Sequence, residues 1–445
     1  MVPHLITALS GPINELEQRM LDAMPVIERW FRLEWMEHTP VFYSAVDIRN
    51  AGFKLVPVET SLFPAGWSNL TRDMLPLAVQ AAQAAVEKIC PEARNLLIVP
   101  GEQTDNSFYL SNLLQLRRIF ENAGLNVRFG SIDPAVKAPR EIKLHSGEKL
   151  VIEPLQRTRN RLGLKHFDPC TILLNHDLSS GVPGILEDLH EQYLLPPLHA
   201  GWPLRRKSNH LKAYEEVAKR FGKVLGIDPW LITPFSSRVS DVALDTPEGL
   251  ERLRAEADAL FARVRRKYKE YGITEKPLLA LKPNSDAEVL PGGASLLVLR
   301  DSADLDALQR KPRKSATAKP TDKAPGKAGR KSPAITTDLI LREGVLTNER
   351  VHDAVAEPVV YMLDRYVVGG FYRIHADRGS DESTNAPGSR YVPLAFAESH
   401  HLPQPGQQAG ASAPNRFYMY GVIARLAMLA ASYEMEATNP EAEVY

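Results

Sequence analysis

The densest group of chemically useful side chains lies between residues 373 and 385. It holds Arg373, His375 and Arg378 together with the oxygen donors Asp377, Asp381, Glu382 and Asn385. Carboxylate and amide oxygens are ligands of Mg²⁺, and arginines make charge-assisted hydrogen bonds to phosphate oxygens. The segment therefore predicts a magnesium–polyphosphate site. A solvated loop of mutually compensating charges is the alternative interpretation.

A second signal combines a lysine with two glycines. Residues 278–282 read as a strand that ends at Lys282, and Gly292 and Gly293 precede a second strand at 296–299. Glycines let backbone N–H groups approach phosphates, and an ammonium neutralises their charge. The pattern predicts a contact with nucleotide phosphates, although an ordinary hairpin with one exposed lysine fits the same residues.

A third cluster is basic and precedes a predicted helix at 211–225. Arg205, Arg206 and Lys207 could bind carboxylates or phosphates, or could form an exposed lead-in to that helix. Cys170 follows a proline beside an apolar strand and is interpreted as a buried small side chain rather than a nucleophile. The sequence has no Walker A, G-x-S-x-G, H-E-x-x-H or G-x-G-x-x-G motif, which excludes the commoner NTPase, hydrolase, zincin and dinucleotide-binding classes.

Composition limits the class of protein that must position these residues. The 445 residues include 54 basic and 54 acidic side chains and are 44% hydrophobic, which predicts a globular protein of two or three domains. Charge neutrality argues against a surface built for nucleic acid or anionic lipid. Two cysteines, Cys90 and Cys170, exclude a disulfide scaffold and fit a reducing cytosol. With neither a signal peptide nor a spanning segment recognised, we expect a cytoplasmic protein.

Hydrophobic periodicity predicts alternating helices and strands in the first half of the chain. A strand, a helix and a strand at 96–99, 108–123 and 127–129 form a βαβ unit, which implies a parallel sheet. The other elements expected here are helices at 13–35 (interrupted at Pro25) and 75–90, a hairpin at 142–152 and a buried strand at 171–174.

The second half is predicted to mix helices with antiparallel strands. A long helix begins at Asp245 or Thr246, with Asp245 as the N-cap and Glu248 three residues later, and ends at Gly272. The other elements expected here are strands at 338–342 and 393–396, a hairpin at 359–363 and 366–371, a polar loop at 403–414 and a terminal helix at 416–434.

A basic segment interrupts this half. Residues 311–331 contain eight basic residues and one acidic residue, Asp322, and lack aromatic and large aliphatic side chains. Such a segment cannot bury enough apolar surface to offset the entropy lost on ordering. The sequence therefore predicts a disordered insertion at 311–332, acting as a solvated tether.

Taken together, the motifs resemble the bacterial ATP-grasp type of glutamate–cysteine ligase, or γ-glutamylcysteine synthetase. The resemblance is carried by long runs of residues rather than by one short motif, and the runs span most of the chain. They are residues 46–54, 62–66, 174–183, 195–202, 205–210, 226–232, 343–361, 364–373, 385–388 and 416–425.

The resemblance implies an ATP-grasp fold of mixed α/β and α+β class. An N-terminal α/β domain, similar to the domain that precedes an ATP-grasp module, would span 1–200. A helical connecting subdomain at 201–275 and a C-terminal subdomain at 276–445 would clamp ATP between them.

The resemblance also implies the reaction. ATP with Mg²⁺ would drive condensation of the γ-carboxyl of L-glutamate with the amine of L-cysteine through an acyl phosphate, the first step of glutathione synthesis. The expected partners are these small molecules, not membranes or specific nucleic acids, and homo-oligomerisation is left open. Two alternatives remain: a ligase of the same fold that joins another amino acid pair, and a catalytically impaired homologue with a binding or regulatory role.

Residue roles follow from the resemblance position by position. Each role below is what the resemblance implies for the residue at that position. Lys282 would contact phosphate under a lid containing Gly292 and Gly293; Arg342, Glu343 and Val345 would lie beside the adenine, with Glu343 near the ribose; Arg373 and Arg378 would be catalytic; Glu382 and Asn385 would hold Mg²⁺; and Arg49, Asn50, Lys54, Arg205 and Lys207 would be candidates for binding the substrate carboxylates.

One segment departs from the family pattern. Where the family has a compact glycine-rich loop, residues 283–295 include Asp286, Glu288 and Pro291. The two carboxylates would place negative charge near the phosphates, and the proline removes a backbone donor. Either the lid uses Gly292 and Gly293 in a shifted register, or the handling of ATP is weakened.

Overall fold

Three sheets, each flanked by helices, form the framework of the chain. The structure is a computed structural model that describes residues 5–6, 12–101, 106–309, 334–394, 417–440 and 442. The helices are α1 Pro12–Asp22, α2 Met24–Glu37, α3 Leu75–Ile89, α4 Ser107–Asn122, α5 Lys207–Leu225, α6 Pro247–Glu270 and α7 Phe417–Ala437. The strands are β1 Leu5–Ile6, β2 Tyr43–Asn50, β3 Leu55–Ser61, β4 Asn95–Pro100, β5 Asn126–Ser131, β6 Arg140–Lys143, β7 Lys149–Pro154, β8 Gln156–Thr158, β9 Arg161–Gly163, β10 Thr171–Asn175, β11 Tyr193–Leu195, β12 Ser236–Val239, β13 Leu278–Pro283, β14 Glu288–Val289, β15 Leu297–Leu299, β16 Ala334–Ile335, β17 Leu339–Gly344, β18 Arg350–Val351, β19 Ala354–Leu363, β20 Tyr366–His375 and β21 Arg390–Pro393.

The seven-stranded sheet joins the two ends of the chain. Its main order is β1-β18-β19-β2-β3, and β20 pairs with both β19 and β21, all antiparallel. Helix α7 packs against this sheet and is apolar on nearly every side, because the protein interior surrounds it. Strands from the first 61 residues and from residues 350–393 thus share one core.

The six-stranded sheet is mostly parallel, in the order β11-β10-β4-β5-β7-β6. The predicted βαβ unit is confirmed, because β4 and β5 run parallel and α4 connects them. Strand β4 also pairs with β10 on its other side, so the chain leaves β4 at a topological switch point. In open α/β sheets, the carboxyl end of such a strand faces a crevice.

The four-stranded sheet is antiparallel, in the order β12-β17-β13-β15. Its apolar face packs on α6 through a separate core that includes Leu279, Leu281 and Leu341. The opposite face of this sheet faces the seven-stranded sheet.

Local sequence signals correctly predicted the positions of most helices and strands. The break at Pro25 is confirmed, since α1 ends at Asp22 and α2 begins at Met24. The predicted N-cap was wrong: Thr246, not Asp245, accepts the Gly249 N–H at 3.1 Å, because Pro247 at the first helical position shifts the cap by one residue. The last strand is Arg390–Pro393 rather than 393–396. The basic insertion at 311–332 and the polar loop at 403–414 lie outside the described residues.

The predicted division at residue 200 does not follow the sheets. Strands β2 and β3 were not predicted, and they pair with β19 rather than with the six-stranded sheet. Residues 43–61 therefore belong to the same sheet as the hairpin of β19 and β20.

The two cysteines form a pair. Cys90 at the end of α3 and Cys170 before β10 are joined as a disulfide across 80 residues. The interpretation of Cys170 as a buried small hydrophobic side chain is therefore wrong, because its sulfur is bonded to that of Cys90. Within the described residues, no helix is both long enough and apolar enough to span a membrane.

Candidate active site

A cleft of about 800 Å³ lies between the four-stranded and the seven-stranded sheets. Because side chains alternate along a strand, the side chains on one face of β13 and of β2 point into it, and residues 58–61 of β3 line it as well. On β13 these residues are Leu278, Ala280 and Lys282, and on β2 they are Ala45, Asp47 and Arg49. The cleft is therefore lined by alternate side chains of two strands that face each other.

The wall formed by the four-stranded sheet divides into an apolar and a basic part. Leu278 and Ala280 line the cleft together with Val298 of β15 and Val345 just after β17. Towards the ends of the same strands, this aliphatic surface gives way to cations. It is a flat apolar strip beside a charged site.

The basic part is centred on Glu59 of β3. The Lys282 ammonium lies 3.2 Å from the Glu59 carboxylate, and Lys207 and Arg342 are close enough to act on its charge. The one side-chain bond of Arg342 in the described structure runs to the Val58 carbonyl, at 2.7 Å. Three cations thus act on the Glu59 carboxylate, and because Lys207 also pairs with Asp286, they exceed the two carboxylates by one charge.

The titration of this group reflects that excess. Burial raises the pKa of the Glu59 carboxyl, but the charges of Lys282, Lys207 and Arg342 outweigh burial and hold that pKa well below its usual value. The Glu59 side chain is 40% exposed, but to the cleft rather than to bulk water. Burial lowers the pKa of Lys282, and the charges of Arg342 and Lys207 oppose the favourable effect of Glu59. An anion bound here would relieve this repulsion.

Arg205 and Lys207 lie at the start of α5, on the same side of the cleft. Both nitrogens of the Arg205 fork bond to the Glu434 carboxylate at 2.9 Å, and Lys207 pairs with Asp286. Burial raises the pKa of Glu434, but Arg205 and His210 outweigh it and lower that pKa to about 2. The loop after β13 is fixed here as well, because Asn284 accepts two backbone hydrogen bonds from the first residues of α5.

Two ion pairs form the floor of the cleft on the seven-stranded sheet. The Arg373 guanidinium donates to both oxygens of Asp47, at 2.6 and 3.3 Å, and Arg49 donates to Glu357 at 2.6 Å. Burial lowers the pKa of Arg373, but the Asp47 charge outweighs it and raises that pKa above its usual value. The Arg373 Nε is buried without a partner. Both arginines are permanently charged and rigidly held.

Oxygen donors for a cation lie beside this floor. Asp381 and Asn385, in the loop after β20, line the cleft with Glu357. No group of three His, Cys, Asp or Glu side chains forms a metal cage in the described part of the chain. Mg²⁺ usually takes one or two protein carboxylates and completes its shell with phosphate oxygens and water, so this donor set fits that ion.

Three of the predicted site residues are buried beneath the cleft. Lys54 and Glu343 form an ion pair at 3.0 Å with both side chains fully buried, and Trp230 also donates to Glu343 at 3.1 Å. Asn50 donates to Glu349, which holds it in the interior. Glu343 therefore does not face a ribose, and Lys54 and Asn50 do not face a substrate. All three side chains instead make internal contacts that hold separate parts of the fold together.

Four more lie at the surface. Gly292 and Gly293 form an exposed turn with positive φ and open space around them, and neither lines the cleft. Arg378 pairs with Glu382 at 2.8 Å, and the Glu382 carboxylate also accepts the Gly379 N–H, so both side chains are engaged in their own loop. Asn385 and Asp381, rather than Glu382, border the cleft.

The remaining predicted residues come together from distant parts of the sequence. These cleft residues are Arg49, Arg205, Lys207, Lys282, Arg342, Val345, Arg373 and Asn385. Sequence reasoning missed the acidic residues Asp47, Glu59 and Glu357, and it placed Asp381 in the 373–385 group without assigning it a role. A signal was present for Asp47, because Ala45, Asp47 and Arg49 alternate with the buried Val46 and Ile48.

The chain matches known proteins over nearly its full length. The glutamate–cysteine ligase family model matches residues 17–435. A crystal structure from Methylobacillus flagellatus KT, of a protein provisionally named gamma-glutamylcysteine synthetase, shares 46% identity with this chain. The match covers 99% of this chain and 100% of that one, with a TM-score of 0.86.

A second solved structure is far less similar. A glutathione synthetase-like effector from Globodera pallida, in its apo form, matches 88% of this chain and 89% of its own, at 11% identity and a TM-score of 0.41. A likeness at that level supports no argument about fold or function. Among curated protein sequences no significant match was found.

Proposed function

This chain belongs to the glutamate–cysteine ligase family, and from that premise we propose that the cleft between the two sheets is its active site. There the enzyme joins L-glutamate to L-cysteine at the expense of ATP. The two facing sheets would be the clamp of an ATP-grasp fold, with the six-stranded sheet as the preceding α/β domain.

The observation that carries this proposal is the excess of positive charge around Glu59. Lys282, Lys207 and Arg342 converge on Glu59 inside a cleft, and with Asp286 included these three cations face two carboxylates, so one positive charge lacks a carboxylate partner. A polyphosphate supplies the missing negative charge. The adjoining aliphatic strip of Leu278, Ala280 and Val298 offers a flat apolar surface for a purine.

The chemistry asks for positioning and charge stabilisation more than for a nucleophilic side chain. An oxygen of the glutamate γ-carboxylate attacks the γ-phosphorus, the bond to the β-phosphate oxygen breaks, and ADP leaves. The neutral amine of cysteine then attacks the acyl carbon. The carbon–oxygen bond to phosphate breaks, and the phosphate leaves with the proton that the amine loses.

Arg373 is the residue best placed to act on these steps. It projects from β20 into the cleft, and Asp47 fixes both its orientation and its charge. A guanidinium there stabilises negative charge that develops on the transferring phosphoryl and on the acyl oxygen. Lys282 and Arg342, on the opposite wall, neutralise the phosphates of the nucleotide.

A magnesium ion would be held by Asp381 and Asn385, with Glu357 nearby. When bound, the ion supplies charge neutralisation on the phosphates. Asp381 also pairs with Arg300 at 2.5 Å, which joins the loop after β20 to the end of β15.

Phosphate release from ATP tests the proposal. We expect rapid release with glutamate and cysteine together and slow release with glutamate alone, with mass spectrometry identifying γ-glutamylcysteine as the product. Higher turnover with another amine would support the ligase of different specificity. An absence of release with every amine tested would support the impaired homologue.

A further inference from the structure

The end of the cleft next to the six-stranded sheet is lined by aromatic rings. Phe108 in the first turn of α4 stacks on Tyr391 of β21, with ring centroids 5.7 Å apart and planes 16° apart. Tyr391 in turn meets the edge of Phe371 at 5.0 Å. Phe63 completes this group, which we term the aromatic end. Phe108 and Tyr391 are 40% and 38% exposed, so both rings present apolar surface to the cleft.

At the aromatic end, neighbouring side chains approach the backbone of Gly66 too closely for any side chain to fit there. A Cβ atom at this position would lie 2.7 Å from the Tyr361 hydroxyl, 3.4 Å from the Asn69 Nδ2 and 3.8 Å from the Phe371 ring. The φ of +89° at Gly66 also disfavours any other residue. A hydroxyl, an amide and a ring thus converge on one point that carries no side chain.

The Asn69 amide provides the second observation. Its Nδ2 is buried and has no hydrogen-bond partner, although Asn69 lines the cleft. Buried donors in folded proteins are nearly always paired, so an unpaired donor on a residue that lines the cleft indicates a missing acceptor. A ligand carboxylate is the strongest acceptor that could meet it.

Hydrogen bonds from two asparagines, Asn112 and Asn175, hold the loop that carries Gly66. Asn112 accepts the Trp67 N–H at 3.0 Å, and Asn175 donates to the Pro64 carbonyl at 3.1 Å. Asn112 and Asn175 bond to each other, so the switch point of the six-stranded sheet holds the loop in place. The loop at the aromatic end is therefore held in one position before any substrate binds.

We propose that the aromatic end binds the acceptor amino acid, with its thiol against the rings and its carboxylate on Asn69. This inference rests on the proposed ligase function and locates the second substrate within that site. Glutamate is the poorer candidate for this space, because its several charges match the floor around Asp47, Arg49 and Arg373. The purine is matched by the aliphatic strip on the opposite wall.

Spacing along β20 agrees with this assignment. Phe371 and Arg373 lie two residues apart on the same face of the strand, which separates them by about 7 Å. That span accommodates a bond-forming contact of about 3 Å between amine and acyl carbon together with the short stem of a cysteine. The amine can therefore reach the acyl phosphate beside Arg373 while the sulfur lies at the rings.

The aromatic rings also provide selectivity. A sulfur about 5 Å from a ring edge gains a favourable contact that a hydroxyl or a methyl group lacks. Such a contact corresponds to about a 2- to 10-fold preference. Cysteine should therefore be favoured over serine and over 2-aminobutyrate, which keeps the shape but replaces the thiol with a methyl group.

Steady-state kinetics of Tyr391→Leu and Phe108→Leu test the assignment, with Tyr366→Leu as the control. Tyr366 is 40% exposed on the same sheet but does not line the cleft. We expect the KM for cysteine to rise several-fold and its preference over 2-aminobutyrate to fall about 2- to 10-fold, with the KM for ATP and glutamate within twofold. A rise in the KM for ATP or glutamate instead, or an unchanged preference, would overturn the assignment.

Asn69→Ala separates binding from a structural role. The amide donor of Asn69 has no partner in the protein, so Asn69→Ala should keep the wild-type Tm while the KM for cysteine rises. The control Asn112→Ala loses two internal hydrogen bonds and should lower the Tm. A lower Tm for Asn69→Ala without a change in the cysteine KM would contradict the proposal. If the wild type releases phosphate with glutamate and cysteine but these variants retain their selectivity, only the aromatic-end assignment fails. A wild type inactive with every amine overturns the ligase function as well.

Discussion

Lys282 and Glu59 face each other across the cleft, with the ammonium 3.2 Å from the carboxylate. The lysine lies on the four-stranded sheet and the glutamate on the edge strand of the seven-stranded sheet. Each therefore depends on the other wall for its partner. When phosphate oxygens arrive, they must share the lysine with a resident carboxylate.

This pairing predicts a specific result for Lys282→Ala. The variant loses one phosphate contact and also leaves the Glu59 charge facing the nucleotide. The affinity for ATP should therefore fall further than the loss of a single contact would cause. The double variant Lys282→Ala/Glu59→Gln should recover part of the affinity. Calorimetric titration of ATP with Mg²⁺ measures both, and Lys276→Ala, an exposed lysine just before β13, is the matched control.

Equal affinity of the wild type and Lys282→Ala for ATP would show that this lysine does not contact the nucleotide. Glutamate binding should stay nearly unchanged in both variants, because Lys282 lies on the wall opposite the Asp47 and Arg49 floor.

The carboxylates of the loop after β13 should limit nucleotide affinity. Asp286 holds Lys207, and Glu288 also lines the cleft. Asp286→Asn frees the lysine and removes a negative charge, so we expect ATP to bind about 2- to 5-fold more tightly. Asp306→Asn, which removes a similar pair with Arg254 away from the cleft, should leave the affinity unchanged. Weaker ATP binding by Asp286→Asn would mean that the Lys207 pair organises the site.

Arg373 should act on turnover more than on binding. Arg373→Lys keeps a charge but loses the two-point contact with Asp47, and we expect kcat to fall about 10²- to 10³-fold. Lysine limits the loss of stability, since Arg373→Ala would leave Asp47 buried without a partner. Arg425→Lys, in a two-point pair with Glu28 outside the cleft, is the control. Near wild-type kcat in Arg373→Lys would remove this residue from the mechanism.

Lys54 should matter for stability. Its side chain is fully buried with Glu343, and burial lowers its pKa to about 8 despite the attraction of that carboxylate. Lys54→Ala leaves the buried Glu343 carboxylate without its ion-pair partner, so the free energy of unfolding should fall by about 3–5 kcal/mol. Denaturant unfolding measures it. If Lys54→Ala instead raises the KM for glutamate at unchanged stability, then Lys54 binds substrate.

Glu434 should contribute to acid sensitivity. Its pKa is lowered from 4.5 to about 2, so its stabilising contribution is complete above pH 4.5 and is lost as pH falls towards 2. The contribution is about 3 kcal/mol at neutral pH. Glu434→Gln should therefore lower stability at pH 7 and show a flatter stability profile between pH 4.5 and 2. Glu436→Gln, exposed on the same helix, should keep the wild-type profile, and an unchanged profile in Glu434→Gln would refute the assignment.

Most helices and strands could be predicted from the sequence because their signals are local. The break at Pro25, the βαβ unit and the hairpin of β19 and β20 each follow from periodicity and turn residues within about 40 positions. Residues 43–61 carry a local alternation of side chains, but that alternation does not identify a partner strand. Their pairing with β19 joins segments some 300 residues apart, and no local pattern specifies that partner.

The site could be predicted only in part, for the same reason. The dense group after Arg373 and the strand ending at Lys282 stand out as charges at element ends. Glu59 and Asp47 stand out only when the two sheets face each other. Conversely, Lys54 and Glu343 look like site residues in sequence, yet they pair across 289 positions in the interior. Charge alone does not distinguish a cleft residue from a buried pair.

A crystal structure with a non-hydrolysable ATP analogue, Mg²⁺ and glutamate tests the central claim most directly. The account predicts phosphate oxygens within hydrogen-bond distance of Lys282 and Arg342, the purine on Ala280 and Val298, and the glutamate γ-carboxylate beside Arg373. A nucleotide bound outside the cleft between the two sheets, or a purine stacked on Tyr391 and Phe108, would contradict it.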